Sequence, residues 1–149
     1  VALGIARAAI DELVRFAQSK KRINSTTTLA DRAHSHLEVA RAEAALRSAR
    51  AFYYQSIEAA WLVAEASEKV SIDQRRDIRL ATTHAVEASI KTVDAMYTLG
   101  GGSAVYADSA LQRHFRDVHM TSQHIMVAPS TLETVGRLYL GVEAQTATL

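Results

Sequence analysis

Cysteine is absent from this sequence, which excludes disulfides, thiolate metal sites and cysteine nucleophiles, and fits a cytoplasmic location. Proline occurs once and glycine six times in 149 residues, too few breakers for a chain of many short strands. No apolar run reaches the ~18 residues of a membrane-spanning helix, so no membrane segment is expected. Neither charge sign dominates: 17 basic against 16 acidic residues leave a formal charge of +1. That balance gives no electrostatic reason to expect nucleic acid or a membrane surface as partner. Several chemistries are missing as well. There is no Glu-x-x-His pair for a di-iron bundle, no His-Glu-x-x-His zinc motif, no Gly-x-Ser-x-Gly elbow and no P-loop. Asp31 and His34 share a ligand-like spacing, but one such pair is weak, and no metal is expected.

What is present is apolar sequence at helical spacing, with hydrophobic residues making up 48% of the chain. The length suits one domain with a core, residues 1–149, rather than two. The sequence opens on VALGIARAAIDELVRF, an amphipathic helix already under way, with no initiator methionine or cap. It reads as a fragment or processed product of a longer chain. Leu3, Ala6, Ile10, Leu13, Val14 and Ala17 form the apolar side of that helix, which should fade near Ser19. A polar connection, KKRINSTTTLAD, follows. Its Lys20-Lys21-Arg22 run is either a phosphate patch or a solvated helix end whose cations face a helix dipole.

Asp31 is the expected N-cap of a second helix reaching about Ser67. Between Ala49 and Ala64 its apolar residues, among them Phe52, Tyr53, Trp61 and Leu62, occupy nearly every side. A helix apolar all round is expected to be buried all round, here in part against another subunit or domain. Ser71 or Asp73 should cap a third helix running towards Leu99, with Ile78, Ala81, Ala85, Ala88, Val93 and Met96 inward and His84 as a bundle histidine. Gly100, Gly101 and Gly102 stop it, since each glycine inside a helix costs ~1 kcal/mol against alanine. They suit a sharp reversal or a close backbone approach.

Asp108 or Ser109 should cap a fourth helix, with Leu111, Phe115, Val118, Ser122 and Ile125 buried. Pro129 ends that pattern or starts a short last helix through Val135, Leu138 and Leu140, and residues 143–149 should fray. The expected fold is all-α: an up-and-down four-helix bundle plus a short C-terminal helix. On an unbroken fourth helix Arg113, Asp117 and His124 lie within ~40° of one face, with Arg113 and Asp117 spaced for an ion pair. His124 would stand ~16 Å along the axis from Arg113, so the three cannot grip one small group. An imidazole there suits a general acid or base, yet spacing alone names no reaction.

The stretch LGGGSAVYADSALQRHFRDVHMTSQH resembles the C-terminal helical domain of the acyl-CoA dehydrogenase superfamily of flavoproteins. The shared features are a helix ending in Gly100-Gly101, a loop, then Arg113, Arg116 and Asp117 in an Arg-x-x-Arg-Asp pattern. VALGIARAAID and EAALRSARAFYY resemble the first two helices of that domain. Two departures matter. Tyr97 stands where dehydrogenases of the superfamily usually carry a flavin-contacting glutamine, and Ser122 to Ile125 offer no carboxylate where many carry the proton-abstracting glutamate. The RDVHMTSQH wording is similar instead to the two-component flavin-dependent monooxygenases of the same superfamily. That resemblance implies an oxidoreductase in the full-length protein, with reduced flavin, FAD or FMN, supplied by a separate reductase, and oxygen used to hydroxylate an aromatic or related small molecule. It implies His124 as the flavin-proximal acid or base that forms or protonates the flavin's oxygen adduct. Gly100, Gly101, Gly102 and Ser103 would offer close backbone amides, and Arg113 and Arg116 would orient their helix or face flavin phosphates. Dimers or tetramers are implied too. The alternatives are an acyl-CoA dehydrogenase acting on an acyl thioester, and a non-catalytic oligomerisation module. The isolated bundle is expected to be inactive.

Overall fold

A computed structural model describes residues 1–21, 25–147 and 149. Arg22, at the end of the Lys20-Lys21-Arg22 run, lies outside the described residues. Five α-helices follow one another: α1 (Ala2–Ala17), α2 (Ala33–Glu65), α3 (Ile72–Gly100), α4 (Ala110–Thr121) and α5 (Ser130–Tyr139). They form the expected up-and-down bundle, and no strand occurs among the described residues; a lone antiparallel bridge joins Lys21 to Thr28.

The helix ends show which local signals act. Ser71 caps α3 in a reciprocal box: its hydroxyl accepts the Gln74 N–H while the Gln74 side chain accepts the Ser71 N–H. Asp31 does not cap α2, correcting that expectation. Its carboxylate accepts both the N–H and the hydroxyl of Thr28, at 2.8 and 2.6 Å, and these bonds pull its pKa below the usual carboxylate range. Arg32 takes the N-cap position with no side-chain bond, so Asp31 organises the turn ahead of the helix instead.

The core lies around α3, which packs against α1, α2, α4 and α5. Ile10 and Leu13 from α1, Val93 and Met96 from α3, and Leu111 and Val118 from α4 are its largest fully buried apolar side chains. Helix α3 admits these neighbours through small residues, with Ala81, Ala85, Ala88 and Ser89 buried along it. Helix α2 is different. Trp61 is 65% and Leu62 59% exposed, and Tyr54 is exposed too, so α2 is not enclosed on every side within this chain. His84 is also exposed, its ring 6.3 Å from that of Phe52, rather than held inside the bundle.

Beyond α5 the chain is irregular. Arg75 donates to the carbonyls of Thr146 and Leu149, and Arg137 to that of Glu143.

Candidate functional site

The end of α3 is built by three glycines with three different duties. Gly100 is the last helical residue and is buried; a Cβ there would meet Leu111 Cδ1 at 2.7 Å and Ala104 Cβ at 3.0 Å. Leu111 of α4 packs close against the α3 backbone here. Gly101 holds φ 57° and ψ −152°, a region open essentially to glycine alone, while its N–H closes on the carbonyls of Thr98 and Tyr97. Gly102 has open space around it and begins, with Ser103, the exposed side of a short 3-10 turn. The amides of Gly100 and Gly101 are thus spent on the helix end. Gly102 and Ser103 are the outward part of the segment.

Lys20 locks this turn. Its ammonium donates to the Gly100 carbonyl and the Ser103 hydroxyl and lies 5.2 Å from the centre of the Phe16 ring. The lysine therefore sits at the negative end of the α3 dipole, satisfying a carbonyl the helix leaves open. Burial lowers its pKa, and the nearby Arg32 charge lowers it further. Beside it opens a groove of about 770 Å³ between the glycine turn and the start of α2. Lys20, Lys21, Arg32 and His34 line it together with Gly100 to Ser103 and Tyr106, and among the described residues no carboxylate does. A groove whose charged groups are all basic is suited to an anion, such as a phosphate.

Arg113 and Arg116 do not reach this groove. Both are exposed on α4, as is Asp117, and among the described residues no ion pair joins Arg113 to Asp117. Their charges act instead on His114, whose pKa is lowered first by burial and then by Arg113, with Asp117 opposing.

His124 has left the helix altogether. Helix α4 ends at Thr121, where the Thr121 hydroxyl bonds the Val118 carbonyl at 2.6 Å and the Ser122 hydroxyl the His119 carbonyl at 2.8 Å. Such local hydroxyl bonds compete with continuation of the helix. The shared face with Arg113 and Asp117, which assumed an unbroken helix, is therefore not formed. Nor is the buried stripe continued to Ile125, which is 77% exposed. His124 instead opens a one-turn 3-10 segment, its Nδ1 accepting the Met126 N–H at 3.2 Å. That bond fixes the neutral tautomer: the proton sits on Nε2, a donor on an exposed residue. Arg79, buried on α3, holds the same segment by donating to the Met126 carbonyl at 2.5 Å.

Two further features escaped the sequence. His119 Nε2 lies 2.9 Å from the Asp94 carboxylate, tying α4 to α3, and Tyr97, Phe115 and His119 stack in a row with successive ring centres 4.6 Å apart. The spacing of Phe115 and His119, one turn apart, gives their contact; nothing local pairs either with α3. No group of three His, Cys, Asp or Glu residues able to hold a metal occurs among the described residues. Nor is any described helix long and apolar enough to cross a membrane.

The bundle, the glycine turn and the segment after α4 together define a domain class. The family model of the acyl-CoA dehydrogenase C-terminal domain matches residues 1–129, and the chain belongs to that family. Over 141 residues it is 39% identical to an indole-3-acetate monooxygenase of Pseudomonas putida, covering 95% of this chain and 36% of the relative. The chain therefore spans little more than a third of that relative's length. Among solved structures, the 3-HSA hydroxylase of Rhodococcus sp. RHA1 superposes with a TM-score of 0.87 at 19% identity, over 99% of this chain and 37% of that one. XiaF of Streptomyces sp., solved in complex with FADH2 and glycerol, superposes with a TM-score of 0.88 at 20% identity, over 95% and 36%. At these identities the structural likeness establishes the fold.

Proposed function

We propose that this chain is the C-terminal helical part of a two-component flavin-dependent monooxygenase. The full-length enzyme would take reduced flavin from a reductase, use oxygen, and hydroxylate an aromatic or related small molecule in the cytoplasm. The observation that carries the reading is the segment after α4. It presents a histidine whose neutral ring must donate from Nε2, and no carboxylate between Ser122 and Val127. A hydrogen-bond donor suits a reaction in which negative charge develops on oxygen; a dehydrogenase would need a base to remove a carbon-bound proton. The sequence likeness to an indole-3-acetate monooxygenase supports the same reading and makes an aryl acetate a reasonable first substrate.

The groove beside the glycine turn fits a flavin's phosphate portion, because every group lining it that carries charge near neutral pH is basic among the described residues and the Gly102–Ser103 backbone is exposed there. Lys20, Lys21 and Arg32 would hold that portion, with Gly100 and Gly101 keeping the turn in shape. Arg113 and Arg116, exposed on α4, would face flavin phosphates only from another part of the assembly. A bound flavin, FAD or FMN, would supply the electrons that activate oxygen, and His124 would donate a hydrogen bond from Nε2 to the oxygen on which charge develops. The exposed Trp61 and Leu62 on α2 are the apolar face we assign to homo-oligomer formation, as a dimer or tetramer.

The test is a pair of assays on the full-length protein. Hydroxylated product and oxygen consumption that depend on externally reduced flavin support the proposal. Flavin reduction by an acyl-CoA, without oxygen insertion, would assign the protein to acyl thioester oxidation instead. An absence of flavin binding in any state would leave only an oligomerisation module.

A further inference from the structure

The segment that presents His124 is tied down by one face of α3. Arg79 and Thr83 stand four residues apart on that helix, on the same side and one turn along, and both are buried. The Arg79 guanidinium donates to the Met126 carbonyl at 2.5 Å. The Thr131 hydroxyl donates to the Ala128 carbonyl at 2.8 Å and accepts in turn from Thr83, also at 2.8 Å. Two carbonyls two residues apart are therefore anchored to successive turns of one helix. Apolar packing does little for this stretch, since His124, Ile125 and Met126 are all exposed.

We propose that Arg79 is a positioning residue for His124, acting through Met126. The Met126 N–H donates to His124 Nδ1 at 3.2 Å while the Met126 carbonyl accepts from Arg79, so this one residue is gripped at both of its polar backbone groups. The grip from the cation is charge-assisted and the stronger of the two. Without it Met126 is free to turn its N–H away from the imidazole. The ring then loses the bond that sets its orientation and its tautomer, and Nε2 no longer points in one direction. Thr83 and Thr131 hold the far end of the segment at Ala128 and act in the same sense, more weakly.

The competing role for a buried arginine is stability alone, and the two roles part in what they change. Lost stability reduces the amount of folded enzyme but not the product formed per oxygen consumed; a misplaced imidazole lowers that ratio. The inference rests on the reading of His124 as donor to oxygen, and the test separates the two. Measure the ratio for the full-length protein supplied with reduced flavin, comparing native, Arg79→Met, His124→Ala and the double variant. Arg79→Met should lower it severalfold, and the double variant should be no worse than His124→Ala, as expected when one residue acts through the other. Ser71→Ala, which weakens the far end of α3, should leave the ratio native. In the flavin-free protein, hydrogen exchange at the Met126 amide should be about tenfold faster in Arg79→Met, with residues 85–93 of α3 still protected. Should Arg79→Met fail to fold, as judged by circular dichroism, Thr131→Val removes the bond to Ala128 and should produce both changes at smaller size. A native ratio in Arg79→Met beside a lowered one in His124→Ala would overturn this proposal alone. So would an equal further loss in the double variant, or unchanged exchange at Met126. A native ratio in His124→Ala would overturn the reading of His124, and this proposal with it.

Discussion

Helices α2 and α3 are of similar length, 33 and 29 residues, yet they occupy opposite roles. Helix α2 carries the large apolar side chains, Phe52, Tyr53, Tyr54, Trp61 and Leu62, and leaves several of them in solvent. Helix α3 intersperses alanines, threonines and arginines with aliphatic residues such as Val93 and Met96, which are fully buried, and is the one at the centre. Burial here follows the number of neighbours, and small side chains are what let four helices approach one backbone. Large side chains on one rim of a bundle need a partner from outside it. Buried Thr83 shows how α3 tolerates its polarity: its hydroxyl meets that of Thr131 on α5 at 2.8 Å.

Breaking the centre should cost most. Met96→Ala, at a fully buried position of α3, is expected to destabilise the fold by ~2–5 kcal/mol, measured by chemical denaturation of the full-length protein. Next comes the glycine turn, where Gly100→Ala forces a methyl against Leu111 and Ala104 and should cost ~1–3 kcal/mol. Gly102→Ala, two residues on and unobstructed, should stay within ~0.5 kcal/mol, so this pair separates close approach from mere turn preference. Ser71→Ala removes the box at the start of α3 and should cost ~1 kcal/mol, seen as a lowered melting temperature. Trp61→Glu should be smallest in monomer stability, within ~0.5 kcal/mol, because the ring is exposed. Its effect should appear in light scattering, as loss of the oligomer. An unchanged assembly with a destabilised monomer would reverse the contrast between the two helices.

The same contrast explains what could be read from the sequence. The five helices follow from apolar spacing, and Ser71 and the glycines mark two ends of α3 through purely local chemistry. Periodicity made α2 legible as apolar on nearly every side, but it does not say which side meets this chain and which, like that of Trp61 and Leu62, is left for another subunit or domain. Asp31 misled because Thr28 offers it a closer pair of donors than the helix does. At the site, the glycine turn was legible and Lys20 was legible only as a charge, since its partner Gly100 lies 80 residues away. His124 was legible as a residue but not as a geometry. The hydroxyls of Thr121 and Ser122 end α4 early, and a helical wheel drawn through them places the imidazole on a face that does not exist.

The central functional claim is that His124 stabilises the developing oxygen anion by hydrogen-bond donation from Nε2. The most direct measurement mixes the full-length protein, carrying reduced flavin, with oxygen and follows absorbance in the stopped flow, comparing the native protein with His124→Ala and His124→Asn. The account predicts a transient oxygen-dependent species whose lifetime and coupling to product both fall in the alanine variant, with flavin affinity unchanged. If oxidation proceeds identically in all three proteins, His124 does no more than cap the turn at Met126.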